Sequence, residues 1–381
     1  TWAMNSRENK LTPWYNDTMS DNHGELIILH MEGNYYNLAS HARTIFSPYA
    51  AIYEGGAKGV RYSVTVTVPP KGMVKQIEVV LKNQTERRIS VELAYYTEPV
   101  LGVDRSRAGT LHAKQGKNML MFQNGFWQTI PARMGIACDT ECSIQCSRPA
   151  FWSGRWKDSS DLPYPDPCGA LIVKKELPPQ REEKISFVLG CSASEAGLKK
   201  LLQEHLKPQT DLADHTENQL IVKTPDPALN HMINTWLPWQ TTASRIYGRT
   251  GFYQCGGAWG FRDQLQDTAN LALLSPTLLK THICRACASQ FPEGDVLHWW
   301  HNLPGDGKKG VRTRYSDDLL WLVYAVCEYL EKTDDYSILD ISGPFASAAT
   351  LKEGEQEANL TVSQSKEKDT VFNHCIRSIE K

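Results

Sequence analysis

The sequence lacks an excess of charge of either sign. Lysine and arginine together number 41 and aspartate and glutamate 43, so the formal net charge of the 381 residues is −2. Proteins that bind nucleic acid or anionic membranes by charge usually carry a strongly basic patch and a high isoelectric point. We therefore expect no nucleic acid partner and no electrostatic membrane partner.

Long apolar runs are also missing. No segment approaches the roughly 20 consecutive apolar residues that a transmembrane helix needs, because charged or polar residues interrupt every apolar stretch. A membrane-spanning segment within this chain is therefore not expected.

Close pairs of metal-ligating residues are few. Cys138, Cys142 and Cys146 fall at four-residue steps, and Cys284 and Cys287 form a CxxC inside a helical pattern. A zinc site needs a second close pair or a cysteine/histidine pair at short spacing, which the sequence does not clearly supply. We predict no metal and no cofactor. Reduced, buried cysteines favour a cytoplasmic location.

The first half of the chain has a hydrophobic period of two, from about residue 25 to 191. The clearest segment alternates five apolar residues with polar ones: Val60, Tyr62, Val64, Val66 and Val68. Several short strands without intervening helices are typical of an antiparallel β-sandwich. We predict such a sandwich over residues 1–192.

The period changes at Glu195. The segment EAGLKKLLQEHLK has helical spacing and ends before Pro208, so we predict a helical linker over residues 193–225. From Pro225 onward the pattern stays helical, and the predicted helices are 226–247, 263–274, 276–291, 316–332 and 368–381. Residues 226–381 should therefore form a helical domain of antiparallel neighbours.

Charged residues gather in the stretch 250–322, in three polar clusters flanked by Trp259, Trp299, Trp300 and Trp321. The clusters contain Arg262, Asp263, Asp267, Glu293, Asp295, His298, His301, Arg312, Arg314, Asp317 and Asp318. A sugar stacks its C–H face on aromatic rings while its hydroxyls bind polar groups. This composition favours a carbohydrate site.

A structural reading of the same residues stays open. Arg262 and Asp263 could form a buried pair at a helix start. Asp317 and Asp318 follow Ser316, where the helix macrodipole stabilises carboxylates without any substrate.

Four segments together resemble the glycoside hydrolase family 94 phosphorylases: SRENKLTPWYND, GGAWGFRDQLQD, EGDVLHWWH and VRTRYSDDLLWL. The resemblance runs from Asn5 to Lys381 and is greatest to the branch of cyclic β-1,2-glucan synthase carboxy-terminal regions and 1,2-β-oligoglucan phosphorylases. It implies an N-terminal β-supersandwich, a helical linker and an (α/α)6 barrel, of which residues 226–381 would supply an incomplete part. The family's cellobiose and chitobiose enzymes have arginine where Gly257 stands, which favours the β-1,2-glucan branch.

The resemblance implies an inverting phosphorylase that cleaves β-glucosidic bonds of β-glucan oligosaccharides with inorganic phosphate. The product is α-glucose 1-phosphate; phosphate is a co-substrate, and no cofactor takes part. The implied partners are the glucan and phosphate, and a homodimer is compatible with the family. By position the implied substrate-binding residues are Arg262, Asp263, Asp267, His298, Trp299, Arg314, Asp317 and Asp318.

No catalytic residue is assigned within the chain. The family's general acid lies in a Gly-Asp-Trp-Asn-Asp motif that this sequence does not contain. We expect the acid beyond Lys381 and the chain alone to be inactive. Two alternatives remain at this stage: a non-catalytic carbohydrate-binding fragment and an α/α-barrel glycoside hydrolase.

Overall fold

In a computed structural model of the chain, the described residues are 1–3, 6–14, 17, 19, 24–47, 50–69, 72–126, 132–156, 164–207, 221–250, 256–303 and 307–381. The chain divides into two compact units, Thr1–Ala213 and Asp214–Lys381. Among the described helices, none has the length and apolar character needed to cross a membrane.

The first unit is a sandwich of two antiparallel sheets. Its described strands are β1 (Glu25–Met31), β2 (Asn34–Asn37), β3 (Arg43–Phe46), β4 (Ala50–Ala57), β5 (Val60–Thr67), β6 (Val74–Asn83), β7 (Ile89–Thr97), β8 (Leu111–Gly116), β9 (Met119–Asn124), β10 (Arg133–Cys138), β11 (Ser143–Ser147), β12 (Pro167–Leu177) and β13 (Glu182–Ser192). One sheet has the order β11-β12-β7-β1-β2 and the other β3-β4-β5-β6-β13-β10-β9-β8. The predicted antiparallel sandwich is confirmed.

Strand β5 shows how the period of two builds the core. Val60 and Val64 are each 1% exposed, and Tyr62 packs against the same core from a partly buried position. Side chains two residues apart point to one face of a strand, so these positions lie between the sheets. Val68, the last residue of the predicted pattern, differs because β5 ends at Thr67 and leaves it 56% exposed.

Two helices accompany the strands of the first unit: α1 (Arg148–Trp152) and α2 (Glu195–Glu204), with a 3₁₀ turn at Arg105–Thr110. The Ser194 side chain accepts a hydrogen bond from the Gly197 amide and caps α2. Leu198 and Leu202 are fully buried in a cluster with residues of β10 and β13. The helix of the predicted linker therefore packs on the sandwich, and linker residues 208–220 lie outside the described part.

The second unit is mostly helical. Its described helices are α3 (Pro227–His231), α4 (Leu237–Thr241), α5 (Phe261–Asn270), α6 (Pro276–Cys287), α7 (Ser316–Thr333) and α8 (Val371–Glu380). Single π-helical segments, Met232–Trp236 and Thr242–Gly248, follow α3 and α4, and a 3₁₀ turn spans Tyr336–Asp340. The helical second half is confirmed, with several helix ends shifted from the predicted positions.

A five-stranded antiparallel sheet also lies in the second unit, where we predicted helices alone. Its strands are β14 (Trp259–Gly260), β15 (Leu297–Asn302), β16 (Lys308–Thr313), β17 (Ser342–Ser347) and β18 (Glu357–Thr370), in the order β14-β15-β16-β18-β17. The sequence conceals β18 because Val362 is its one buried residue, so no apolar alternation marks the strand. Strands β15 and β16 of this sheet lie in the segment between α6 and α7 that carries many of the charged residues.

Helices α5 to α8 each bury one face in a shared core. The core includes Phe261 and Leu265 of α5, Leu279 and Ile283 of α6, Leu322 and Val326 of α7, and Val371 and Cys375 of α8. Helix α5 packs against both α6 and α7. This packing places the first turns of α5 and α7 side by side.

Candidate functional site

Arg262 connects the first turns of α5 and α7. Its Nη1 donates to Oδ2 of Asp317 at 2.9 Å, and its guanidinium carbon lies 5.4 Å from the centre of the Trp321 ring. The two side chains of the pair are 47% and 56% exposed. An exposed pair contributes at most about 1 kcal/mol. The alternative interpretation, a buried pair of Arg262 with Asp263, is not what the structure shows, and Arg262 keeps donors for a ligand.

Asp263 is exposed on the first turn of α5. The preceding Gly260 is the N-cap in extended conformation, and a Cβ added there would lie 3.3 Å from Oδ2 of Asp263. The carboxylate therefore folds back over the helix start. The charge of Asp263 also helps to raise the pKa of His298, so the two side chains interact electrostatically.

His298 connects strand β15 to the first turn of α7. Its Nδ1 lies 2.7 Å from Oδ2 of Asp318, which is 1% exposed, whereas the imidazole is 40% exposed. The hydrogen bond to Asp318 raises the pKa of His298, and the charges of Asp318, Asp263 and Asp317 act in the same direction against partial burial. Asp318 is thus a buried acceptor that orients His298, and not only a carboxylate at a helix start.

Asp267 lies one turn after Asp263, and its side chain is 19% exposed. Nε of Arg245 donates to its Oδ2 at 3.0 Å, and Arg245 Nη1 also donates to the Thr250 carbonyl at 3.1 Å. Burial raises the pKa of Asp267 in spite of that partner, with a further contribution from Asp263. Asp267 therefore binds Arg245 and is not one of the exposed groups of the first turn of α5.

Trp299 and Arg314, two further predicted substrate residues, have partners of their own. The half-buried ring of Trp299 packs edge-on against His301, with centres 5.9 Å apart. Arg314 is exposed and donates from Nε to the Glu355 carbonyl at 2.8 Å, which holds the loop before β18. A direct contact of either residue with substrate stays a prediction.

Arg312 forms a buried network that the sequence did not separate from the site. It donates from Nε and Nη2 to the two carboxylate oxygens of Asp295 at 2.6 and 2.7 Å, and from Nη2 to Glu293 at 3.0 Å. Arg312 is 2% exposed, and its guanidinium carbon lies 3.8 Å from the centre of the Phe291 ring. This buried, bidentate pair connects strand β16 to the loop before β15.

A second cationic group surrounds Trp259, just before α5. The guanidinium carbons of Arg249 and Arg285 lie 4.1 and 3.9 Å from its ring centre. Burial, together with the charge of the neighbouring Arg285, lowers the pKa of Arg249 to about 10, and burial with the charges of Arg285 and Arg249 lowers the pKa of His282 to about 3. Sequence reasoning named Trp259 but missed its cations, which lie on other elements at no fixed spacing from it.

The starts of α5 and α7 and strand β15 therefore form one polar cluster, which we call the α5/α7 cluster: Arg262, Asp263, His298, Asp317 and Asp318. It offers exposed donors and acceptors beside the Trp321 ring, and this combination suits a neutral, hydroxyl-rich ligand. Among the described residues, no group of three histidine, cysteine, aspartate or glutamate side chains is placed to hold a metal ion.

The described residues thus combine a β-sandwich with a helical unit whose polar cluster lies beside an indole ring, an arrangement that suits carbohydrate binding. The comparisons with known proteins agree, because the glycosyl hydrolase 94 supersandwich domain matches residues 1–208 and the glycosyl hydrolase 94 superfamily catalytic domain matches residues 214–381. The chain belongs to the glycosyl hydrolase 94 family.

Two curated relatives show how much of a whole enzyme the chain represents. It is 31% identical over 425 aligned residues to the cyclic β-(1,2)-glucan synthase NdvB of Rhizobium meliloti, covering 100% of this chain and 15% of that protein. It is 26% identical to the N,N'-diacetylchitobiose phosphorylase of Vibrio proteolyticus, covering 52% of this chain and 28% of that protein. The chain thus spans less than a third of either relative.

Among solved structures, a bacterial glucoamylase complexed with acarbose is similar over 78% of this chain and 50% of that chain. Its TM-score is 0.43 and its sequence identity 11%.

Proposed function

We propose that the chain carries the sugar-binding part of an inverting β-glucan phosphorylase that acts on β-1,2-linked glucose oligosaccharides with inorganic phosphate. The observation that carries this proposal is the α5/α7 cluster, which lies within motifs shared with a family that includes phosphorylases. One relative that matches over the whole of this chain is named as a cyclic β-(1,2)-glucan synthase, which supports the choice of linkage.

The roles follow from exposure and hydrogen bonding. Asp263, exposed and near His298, accepts hydrogen bonds from glucose hydroxyls, and Arg262 donates with the hydrogens that Asp317 leaves unused. His298, held by Asp318, presents its Nε2 side to the sugar. The face of Trp321 supplies an apolar surface beside Arg262.

Because phosphate is the nucleophile, the reaction needs one general acid and no second carboxylate. A phosphate oxygen forms the new bond to the anomeric carbon on the face opposite the leaving oxygen. The leaving oxygen departs with the bonding electron pair and takes a proton from the acid. Inverting hydrolases need a second carboxylate to activate water, whereas phosphate is already an anionic nucleophile that needs only cations and hydrogen-bond donors to hold it.

The test is a product assay on the protein expressed with whatever its reading frame encodes after Lys381. It is incubated with β-1,2-, β-1,3- and β-1,4-linked glucose oligosaccharides, with and without inorganic phosphate. We expect α-glucose 1-phosphate from the β-1,2 series only when phosphate is present. Release of free glucose at the same rate without phosphate would instead identify a hydrolase and contradict the proposal.

A further inference from the structure

Tyr315 lies beside the α5/α7 cluster without being one of its members. It is the N-cap residue of α7, in extended conformation directly before Ser316. Its ring meets the His298 imidazole edge-on, with centres 5.2 Å apart and planes at 81°. Tyr315 is 44% exposed. An aromatic ring that is open to solvent beside exposed polar groups is a surface on which a sugar stacks.

The backbone on both sides of Tyr315 belongs to regular structure. Thr313 is the last residue of β16 and pairs with Glu357 of β18. The Arg314 amide donates to the Gln356 carbonyl at 3.0 Å, and the first turn of α7 follows at once. The backbone that carries the ring is therefore already ordered, so a ligand that stacks on Tyr315 has to order only the side chain.

A second tyrosine of α7 shows what a structural role looks like. Tyr329 is 4% exposed, and its hydroxyl donates to Oδ2 of Asp335 at 2.7 Å. Within the described part of the chain, the Tyr315 hydroxyl has one hydrogen bond, to Oε2 of the exposed Glu357 at 3.4 Å. That distance is longer than the roughly 2.5–3.0 Å usual for such a bond. Tyr329 therefore serves the fold, whereas the Tyr315 ring contributes little to it.

Two aromatic rings thus flank the α5/α7 cluster, one beside each of its cationic groups. Trp321 lies beside Arg262, and Tyr315 lies beside His298. The carboxylates that hold Arg262 and His298 are successive residues of α7, and a helix turns successive side chains by about 100°. The two rings therefore lie on different sides of the start of α7. Two adjacent residues of a sugar chain match this arrangement better than a single residue does.

We propose that Tyr315 contacts the substrate and holds the sugar on the leaving side of the cleaved bond, next to the glucose held by Arg262 and Asp263. The identity of the sugar chain in this inference rests on the proposed function. The ring of Tyr315 stacks on the C–H face of that sugar, while His298 lies within reach of its hydroxyls. Tyr315 thus contributes to the preference for an oligosaccharide over a single glucose.

The experiment measures dissociation constants by calorimetry on the protein expressed with the rest of its reading frame. One ligand is the β-1,2-linked glucose disaccharide without phosphate, and the other is α-glucose 1-phosphate without a sugar acceptor, so neither titration allows phosphorolysis. The variants are Tyr315→Ala, Tyr315→Phe and Tyr315→Leu, of which the last keeps an apolar side chain beside His298 without an aromatic face. The matched control is Tyr336→Ala, a tyrosine of the second unit that is 63% exposed. Melting temperatures and the NMR titration midpoint of His298 establish that each variant is folded around an intact histidine.

We expect Tyr315→Ala and Tyr315→Leu to weaken disaccharide binding about twofold to tenfold. Both should leave the binding of glucose 1-phosphate unchanged, because that ligand lacks the second sugar. Tyr315→Phe and the control should bind both ligands like the unsubstituted protein. Disaccharide binding that Tyr315→Ala does not change, or that Tyr315→Leu restores, would overturn the proposal. An equal loss for both ligands would show that Tyr315 acts through His298 and would also overturn it.

The two proposals can fail separately. Phosphate-dependent release of glucose 1-phosphate, together with disaccharide binding that no Tyr315 variant changes, would refute the role of Tyr315 alone. Disaccharide binding that Tyr315→Ala weakens, in a protein without phosphorolysis, would refute the proposed function alone. No measurable disaccharide binding by the unsubstituted protein would refute both.

Discussion

Two ion pairs in residues 250–322 come from the same charged stretch but differ in their surroundings. Arg312 is 2% exposed and binds both oxygens of Asp295, and it also donates to Glu293 and to the Ala349 carbonyl. The Arg262 side chain is 47% exposed and, among the described residues, donates one hydrogen bond, to Asp317. The first arginine has little left to offer a ligand, and the second has most of its donors available.

This difference shows how a charged residue that stabilises the fold can be distinguished from one that is available to bind a ligand. The Arg312 network ties β16 to the loop before β15, and so it holds the strand that carries His298. The Arg262 pair lies at two helix starts, where it is too exposed to matter much for folding. Burial and the number of filled hydrogen-bond positions separate the two roles, whereas residue type does not.

The largest effect on stability is expected from Arg312→Met. The substitution leaves the Asp295 carboxylate buried without its partner, which should lower the free energy of unfolding by about 3–5 kcal/mol. Arg262→Met is the matched control and should lower it by no more than about 1 kcal/mol. Denaturant unfolding of both variants measures the difference, and equal losses would remove the distinction between the pairs.

A smaller, pH-dependent effect is expected from Asp318→Asn. Loss of the hydrogen bond to the partly exposed His298 should lower stability by about 1–2 kcal/mol at low pH. The pKa of His298 is raised in the folded state, so this contribution is complete below the unfolded value and is lost as the pH rises through the folded one. The difference from wild type should therefore shrink from pH ~5 to pH ~9.

An NMR titration of His298 checks the cause of that effect. In Asp318→Asn its midpoint should move toward the ordinary histidine value, and in the exposed control Asp317→Asn it should move less. An unchanged midpoint in both variants would contradict the assigned hydrogen bond.

The smallest effect is expected from Arg285→Met. It removes one of the two guanidinium groups that stack on Trp259, an interaction worth about 0.5–1 kcal/mol at a partly exposed site. Lys366→Met, an exposed substitution on β18, serves as the control and should change stability less. Thermal unfolding of the two variants gives the comparison; a larger loss for Lys366→Met would show that the stack contributes nothing.

Much of the architecture could be predicted from sequence because hydrophobic period is a local property. The alternation around Val60 and Val64 predicted a sandwich strand, and the spacing of Leu198 and Leu202 predicted a helix. Strand β18 could not be predicted in this way. Its polar composition hides the strand, which forms because β16 and β17 pair with its backbone.

For the candidate site, the sequence allows a prediction of residues but not of their partners. Arg262 and Asp263 were placed together by their motif, yet the ion pair of Arg262 is with Asp317, 55 positions away. Asp318 follows Asp317 directly, and a helix turns successive side chains by about 100°, so one is buried while the other is exposed. The packing of α5 and β15 around the start of α7 decides that Asp317 meets Arg262 and that Asp318 meets His298.

The central claim is that the α5/α7 cluster binds the reacting sugar, and Asp263→Asn tests it most directly. The measurement is kcat/KM for phosphate-dependent release of glucose 1-phosphate from β-1,2-linked oligosaccharide, in the protein that carries the chain with the rest of its reading frame. The control is Glu331→Gln, an exposed carboxylate on α7. A hydrogen bond to a charged acceptor contributes about 1.5–3 kcal/mol, so Asp263→Asn should lose about ten- to a hundredfold in rate at an unchanged melting temperature. Near-full activity of Asp263→Asn, equal to that of Glu331→Gln, would contradict the account.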